Sequence, residues 1–124
     1  MSTITVTNIK ATGETASRAA TGVAAVWVSY TSDSSTSIKD SQNVSSLTDV
    51  DTGYTTVTFT NAMSSGNYAL GAVAGLAGHR MRVDTLGGSS ANPKAANFHF
   101  YVSDNGATNR DATENTGIVT GDLA

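Results

Sequence analysis

Apolar side chains in this chain recur at every second position, in short runs separated by residues that turn the backbone. Residues 54–60 place Val57 and Phe59 between Thr56, Thr58 and Thr60, and residues 96–102 set Phe98, Phe100 and Val102 against Asn97, His99 and Tyr101. A period of two sends alternate side chains to opposite faces of a strand, so each run predicts a strand with one buried face. Residues 3–9 alternate in the same way, with Ile4 and Val6 against Thr3, Thr5 and Thr7, and residues 79–86 set Met81, Val83 and Thr85 against Arg80, Arg82 and Asp84. Residues 23–30 hold the sole tryptophan, Trp27, between Val26 and Val28, and read as a buried strand. Residues 37–40 (with Ile38), 43–47 (with Val44 and Leu47) and 68–77 (small residues with Gly71 and Gly75) complete the set. Turn chemistry lies between the runs: polar residues 31–36, Asp49-Val50-Asp51-Thr52-Gly53, Ser64-Ser65-Gly66-Asn67, a loop over 87–94 containing Pro93, and Asp104-Asn105-Gly106. About seven or eight short strands at this spacing predict an all-β domain: an antiparallel β-sandwich, jelly roll or small barrel.

At 124 residues the chain has room for one core. The patterning divides it into an N-terminal strand and attachment arm over 1–22, a β domain over 23–105, and a mostly polar C-terminal tail over 106–124 with a short closing strand near 117–120. Within the Ala/Thr-rich arm, residues 14–20 fit either about two helical turns capped by Thr12 or an extended segment.

Composition excludes several classes of function. Charged residues are 14% and hydrophobic residues 39%, while Ser and Thr together make up about a quarter. The net charge is −3 and the seven basic residues are scattered, so there is no nucleic-acid footprint; Arg80 and Arg82 read as a solvated strand face. The absence of cysteine removes disulfides and thiolate chemistry. No apolar run approaches the 18 or so residues of a membrane span, and the start at Met1 has no signal-peptide pattern, so the expectation is a soluble protein made in the cytoplasm of its producing cell.

No constellation for catalysis emerges. His79 and His99 sit on different expected strands, and no Cys stands by to complete a zinc site. Asp49 and Asp51 read as turn chemistry rather than a calcium loop, which would need a fuller acidic pattern. Glu occurs only at Glu14 and Glu114, there is no Gly-x-Ser-x-Gly elbow, and Gly87-Gly88-Ser89-Ser90 lacks the lysine of a phosphate loop. The expectation is a protein without enzymatic activity, catalytic residues, metal or cofactor. Tyr30, Tyr54 and Tyr101 are the candidate binding residues, because a surface tyrosine offers a sugar an apolar face and a hydroxyl; the competing reading is packing at the edge of the core.

The middle of the chain carries a longer pattern. Trp27-Val28, Ile38 with Asp40, and Asn43-Val44-Ser45-Ser46-Leu47-Thr48-Asp49 form its first part. Gly53-Tyr54, Val57-Thr58-Phe59-Thr60, Ala62-Met63 and Asn67-Tyr68-Ala69 form its second. This string, spanning about residues 23–72, resembles a module of small tail-fibre-like and other virion structural proteins of bacteriophages, many of them marine. The usual Asn-Phe-Asn-Gly after Trp-Val is here Ser29-Tyr30-Thr31-Ser32, and the turn before Tyr54 carries Asp49-Val50-Asp51-Thr52. Both departures are expected to fall in turn regions. The resemblance implies a virion structural protein, either a tail-fibre or tail-tip component with a role in host-surface attachment or a capsid decoration (cement) protein stabilising the head. It supplies no catalytic residues. It also implies assembly in the host cytoplasm into a particle, as a homotrimer in contact with other virion proteins, tail or major capsid, with a host glycan as a further partner and neither nucleic acid nor membrane. A carbohydrate-binding module is the rival reading from a different class.

Overall fold

The computed structural model describes residues 2–9, 12, 18–19, 23–75, 80–83 and 94–124. Among these there is no helix. The described residues form ten strands, in order β1 (Asn8–Ile9), β2 (Arg18–Ala19), β3 (Ala24–Thr31), β4 (Ser37–Gln42), β5 (Val44–Asp51), β6 (Tyr54–Phe59), β7 (Ala69–Ala74), β8 (Arg80–Val83), β9 (Asn97–Ser103) and β10 (Asn115–Thr120). Among the described residues β1 and β2 pair only with each other. The remaining strands form two four-stranded sheets, ordered β4-β3-β10-β7 and β5-β6-β9-β8, and every pairing is antiparallel. The architecture is the expected β-sandwich.

The period-two pattern accounts for the core between the sheets. From the first sheet come Val26, Val28, Tyr30 and Val119, and from the second Val57, Phe59, Phe98 and Phe100. Phe98 and Phe100 meet edge to face at 4.6 Å, and Tyr30 stacks across the sandwich on Phe100 at 5.9 Å. Such aromatic pairs add about 0.5–1.5 kcal/mol each beyond the area they bury.

Turns fix the register. Asn43 takes a positive φ of 57° between β4 and β5, and its side chain grips Asn61: the Asn61 N–H donates to Asn43 Oδ1 at 2.7 Å, and Asn43 Nδ2 donates to the Asn61 carbonyl at 3.0 Å. Gly53, between β5 and β6, sits at φ 70°, where glycine avoids the cost of a Cβ. Its N–H donates to Asp111 Oδ1 at 2.8 Å, and its carbonyl accepts from the Val102 N–H at 2.8 Å. β5 runs on to Asp51, so the turn is tighter than the Asp-rich composition suggests.

Two expectations for the ends of the chain need correction. The C-terminal segment 106–124 contains the closing strand expected near 117–120, as β10, but it is not a polar tail. Its strand β10 lies in the middle of the first sheet, hydrogen-bonded to β3 on one side and β7 on the other. Ala112, Asn115 and Val119 are fully buried. The inward positions of β10 are Asn115, Gly117 and Val119, so only one of three is a large apolar residue, and the alternation is invisible to hydropathy. The Asn115 Nδ2 donates to Ser32 Oγ and to the Ala112 carbonyl, at 3.2 and 3.1 Å, which offsets part of the cost of burying the amide; its Oδ1 has no hydrogen-bond partner. At the other end, the strand expected over 3–9 shrinks to the two residues of β1, and residues 2–7 belong to no ladder. Of the ambiguous stretch 14–20 only Arg18 and Ala19 are described, paired with Ile9 and Asn8. His79, residues 84–86 and most of the loop over 87–94 lie outside the described residues.

Candidate binding surfaces

The two outer faces of the sandwich differ in chemistry. On the second sheet the register aligns Asp51, Tyr54, Tyr101 and Arg82 in one row across β5, β6, β9 and β8. The next row holds Thr48, Thr56 and His99, and the one after it Ser46, Thr58 and Asn97. Tyr54 and Tyr101 face each other at 5.7 Å between ring centroids, and Tyr54 lies 5.5 Å from the His99 ring, both pairs tilted by 46°. Thr56 Oγ1 and His99 Nδ1 share a hydrogen bond of 2.8 Å. The result is a half-buried aromatic cluster on a surface of hydroxyls, with a carboxylate residue at one edge strand and arginine positions at the other.

Tyr30, expected beside them on the surface, is instead fully buried in the core. It points inward because it shares the period of Val26 and Val28. Its hydroxyl lies near Thr55 but has no hydrogen-bond partner. Burial raises its pKa well above that of an ordinary phenol; Thr55 pulls it down and Asp111 pushes it up. Tyr68 is half-buried, donates to the carbonyls of Lys94 and Asn97 at 3.3 and 3.2 Å, and is pushed up to about 12 by burial. Of the three candidate residues, the fold therefore brings Tyr54 and Tyr101 together and removes Tyr30.

The outer face of the first sheet is apolar at its centre. Gln42, Trp27, Ile118 and Gly71 form one row across β4, β3, β10 and β7, and Asp40, Ser29, Thr116 and Val73 form the next. Trp27 Nε1 donates to Gln42 Oε1 at 3.1 Å, which lays the indole along the sheet. Val73 is 64% exposed and Ile118 49%. Gly71 leaves the space beside Ile118 open, and an apolar groove results, lined by Trp27, Gly71, Val73, Thr116 and Ile118. This face was missed in the sequence. The signal was the opposite phase of the 23–30 run: if Val26 and Val28 face the core, Trp27 must face away from it.

Titratable groups form no cluster suited to a metal: among the described residues there is no group of three or more His, Cys, Asp or Glu placed to hold an ion. Asp104 closes its own turn, with Oδ1 accepting from the Gly106 and Thr108 N–H groups at 2.9 Å each and Oδ2 from Arg110 Nε at 3.2 Å. Lys39 reaches Glu114 and the Thr113 carbonyl at the rim of the first sheet. Compared with protein-family models, curated proteins and solved structures, the chain matches none of them.

Proposed function

We propose that this protein is a structural subunit of a bacteriophage virion, a tail-fibre or tail-tip type component that assembles as a homotrimer through the outer face of its first sheet. The observation that carries the assembly reading is the apolar row Trp27–Ile118–Gly71 with Val73 beside it, on a face that a solitary sandwich would present to water. Exposed apolar surface gathered in one place marks an interaction site. The sequence pattern over residues 23–72 is what points to a virion, and the low charge and high Ser/Thr content suit a surface that carries no chemistry of its own. Packing the first sheets of three copies around a threefold axis buries the apolar row and leaves the second sheets outward.

A second reading is favoured by the other face. The Tyr54–Tyr101 pair, in one row with Asp51, is the kind of surface a glycan takes, with rings for its apolar side and a carboxylate for its hydroxyls. It is compatible with a tail tip that touches the host, and equally with a carbohydrate-binding module.

Light scattering coupled to size exclusion tests the assembly. A mass near three times 12.6 kDa is expected, and a monomer at micromolar concentration refutes it. Counting copies in a purified particle separates a tail component, at a few dozen or fewer, from a capsid decoration protein in the hundreds. For the glycan reading, Tyr54→Ala and Tyr101→Ala are expected to abolish binding on a glycan array without loss of the trimer.

A further inference from the structure

A sandwich has four edge strands, and their sequences are unequal. β4 carries Lys39 and Asp40, β5 carries Asp49 and Asp51, and β8 carries Arg80 and Arg82. Charge on an edge discourages another strand from pairing there. β7 is Ala69-Leu70-Gly71-Ala72-Val73-Ala74, with no charge and no proline. Among the described residues it is laddered only to β10; β8 of the second sheet approaches it without a ladder, so one side of the β7 backbone has no strand hydrogen-bonded to it.

The chain also contains a strand-like segment with no sheet. Residues 2–7, Ser-Thr-Ile-Thr-Val-Thr, have no charge, glycine or proline, and five of the six are β-branched. They take part in no ladder, and Ile4 is 86% and Val6 49% exposed. Ile4 and Val6 are two apart, so in a strand they lie on one face with the threonines on the other.

We infer that residues 2–7 of one copy add to β7 of a neighbouring copy as a fifth strand of its first sheet, with Ile4 and Val6 on the outer face beside Gly71 and Val73. The inference rests on the homo-oligomer reading above. Addition to an unpaired edge satisfies backbone groups on both partners and needs no pocket. Of the four edges only β7 is chemically matched to an uncharged arm, and the added strand extends the row Trp27–Ile118–Gly71 by one apolar side chain. The contact is head-to-tail, since the arm of one copy meets the edge of the next. Such contacts close into rings, and three copies make the smallest ring larger than a pair.

The test uses the full-length protein. In the variant Ile4→Asp with Val6→Asp, both substitutions fall on exposed side chains that belong to no ladder, although Val6 borders a groove with Val23, Ala24 and Leu123, so the fold is checked by circular dichroism and is expected to stay intact. Its mass is expected to fall threefold, from trimer to monomer. Because the chain has no cysteine, two single-cysteine variants, Thr5→Cys and Ala69→Cys, can be mixed and treated with a short bis-maleimide. A heterodimeric product carrying one of each is expected, and it forms only between copies. A trimeric double variant without the mixed product overturns the arm exchange and leaves the homo-oligomer reading standing. A monomeric wild-type protein overturns both.

Discussion

At the scale of single residues, the buried hydroxyl of Tyr30 is the sharpest case. The phenol is fully enclosed and its oxygen has no hydrogen-bond partner. An unsatisfied buried polar atom costs about 1–3 kcal/mol, while the ring supplies packing that phenylalanine reproduces. Tyr30→Phe is therefore expected to raise stability by about 1 kcal/mol, read as a higher urea midpoint at unchanged slope. Tyr30 and Tyr68 also shape the alkaline limb. Burial raises both pKa values above the ordinary 10.0, so the fold favours the neutral phenols. Their contribution is complete below pH 10 and is lost as pH rises, for Tyr68 towards about 12. Asp104 behaves oppositely. The Thr108 N–H, above all, lowers its pKa, with Arg110 and the Gly106 N–H assisting against some desolvation. That contribution is complete above the ordinary 3.8 and disappears as pH falls through the lowered value. The protection factors of the Gly106 and Thr108 amides, taken against the intrinsic exchange rate at each pH, should fall on acidification below pH 3.8, and Asp104→Ala should remove that change. Gly53 is the backbone counterpart. A Cβ there would collide with the Val102 carbonyl and the Arg110 backbone at a φ of 70°. Gly53→Ala is expected to cost about 2–4 kcal/mol, from the strained φ and the collision together.

At the scale of elements, β10 ties the first sheet together, and its inward Gly117 explains how a central strand passes over a crowded core. A Cβ on Gly117 would run into the Phe100 ring. Gly117→Ala should destabilise by about 2 kcal/mol through overpacking, measured as a lower denaturant midpoint. Gly71, on the outward face of β7, provides the control. A Cβ there meets Ile118 Cγ2 at an ordinary 3.6 Å. Gly71→Ala should leave the unfolding midpoint of the isolated chain within about 0.5 kcal/mol of wild type, as is usual for surface changes.

At the scale of the whole molecule, one sandwich presents two unlike faces, hydroxyl and aromatic on the second sheet, aliphatic and indole on the first. If the first faces pack together, the sole tryptophan reports it. Trp27 fluorescence should shift to longer wavelength on dilution through the dissociation range, and the melting temperature should rise with protein concentration, as mass action requires for a coupled assembly.

Local alternation determined a good deal on its own. Val57 and Phe59 among threonines, and Phe98, Phe100 and Val102 among polar residues, specify strands with one buried face whatever surrounds them. With no cysteine and turn signals between the runs, an all-β antiparallel domain follows from chain-local rules; that it is a sandwich rather than a jelly roll or small barrel is set by the strand pairings. Tertiary structure alone decided what covers each face. Tyr30, Tyr54 and Tyr101 have the same chemistry; the period Tyr30 shares with Val26 and Val28 already turns it inward, whereas only the β6–β9 register sets Tyr54 against Tyr101 on the surface. The place of β10 was hidden because its inward side chains are an asparagine, a glycine and a valine, acceptable only next to Ser32 and the Phe100 ring. A period of two fixes which side chains share a face; burial depends on pairings between residues about 80 positions apart, which no local pattern encodes.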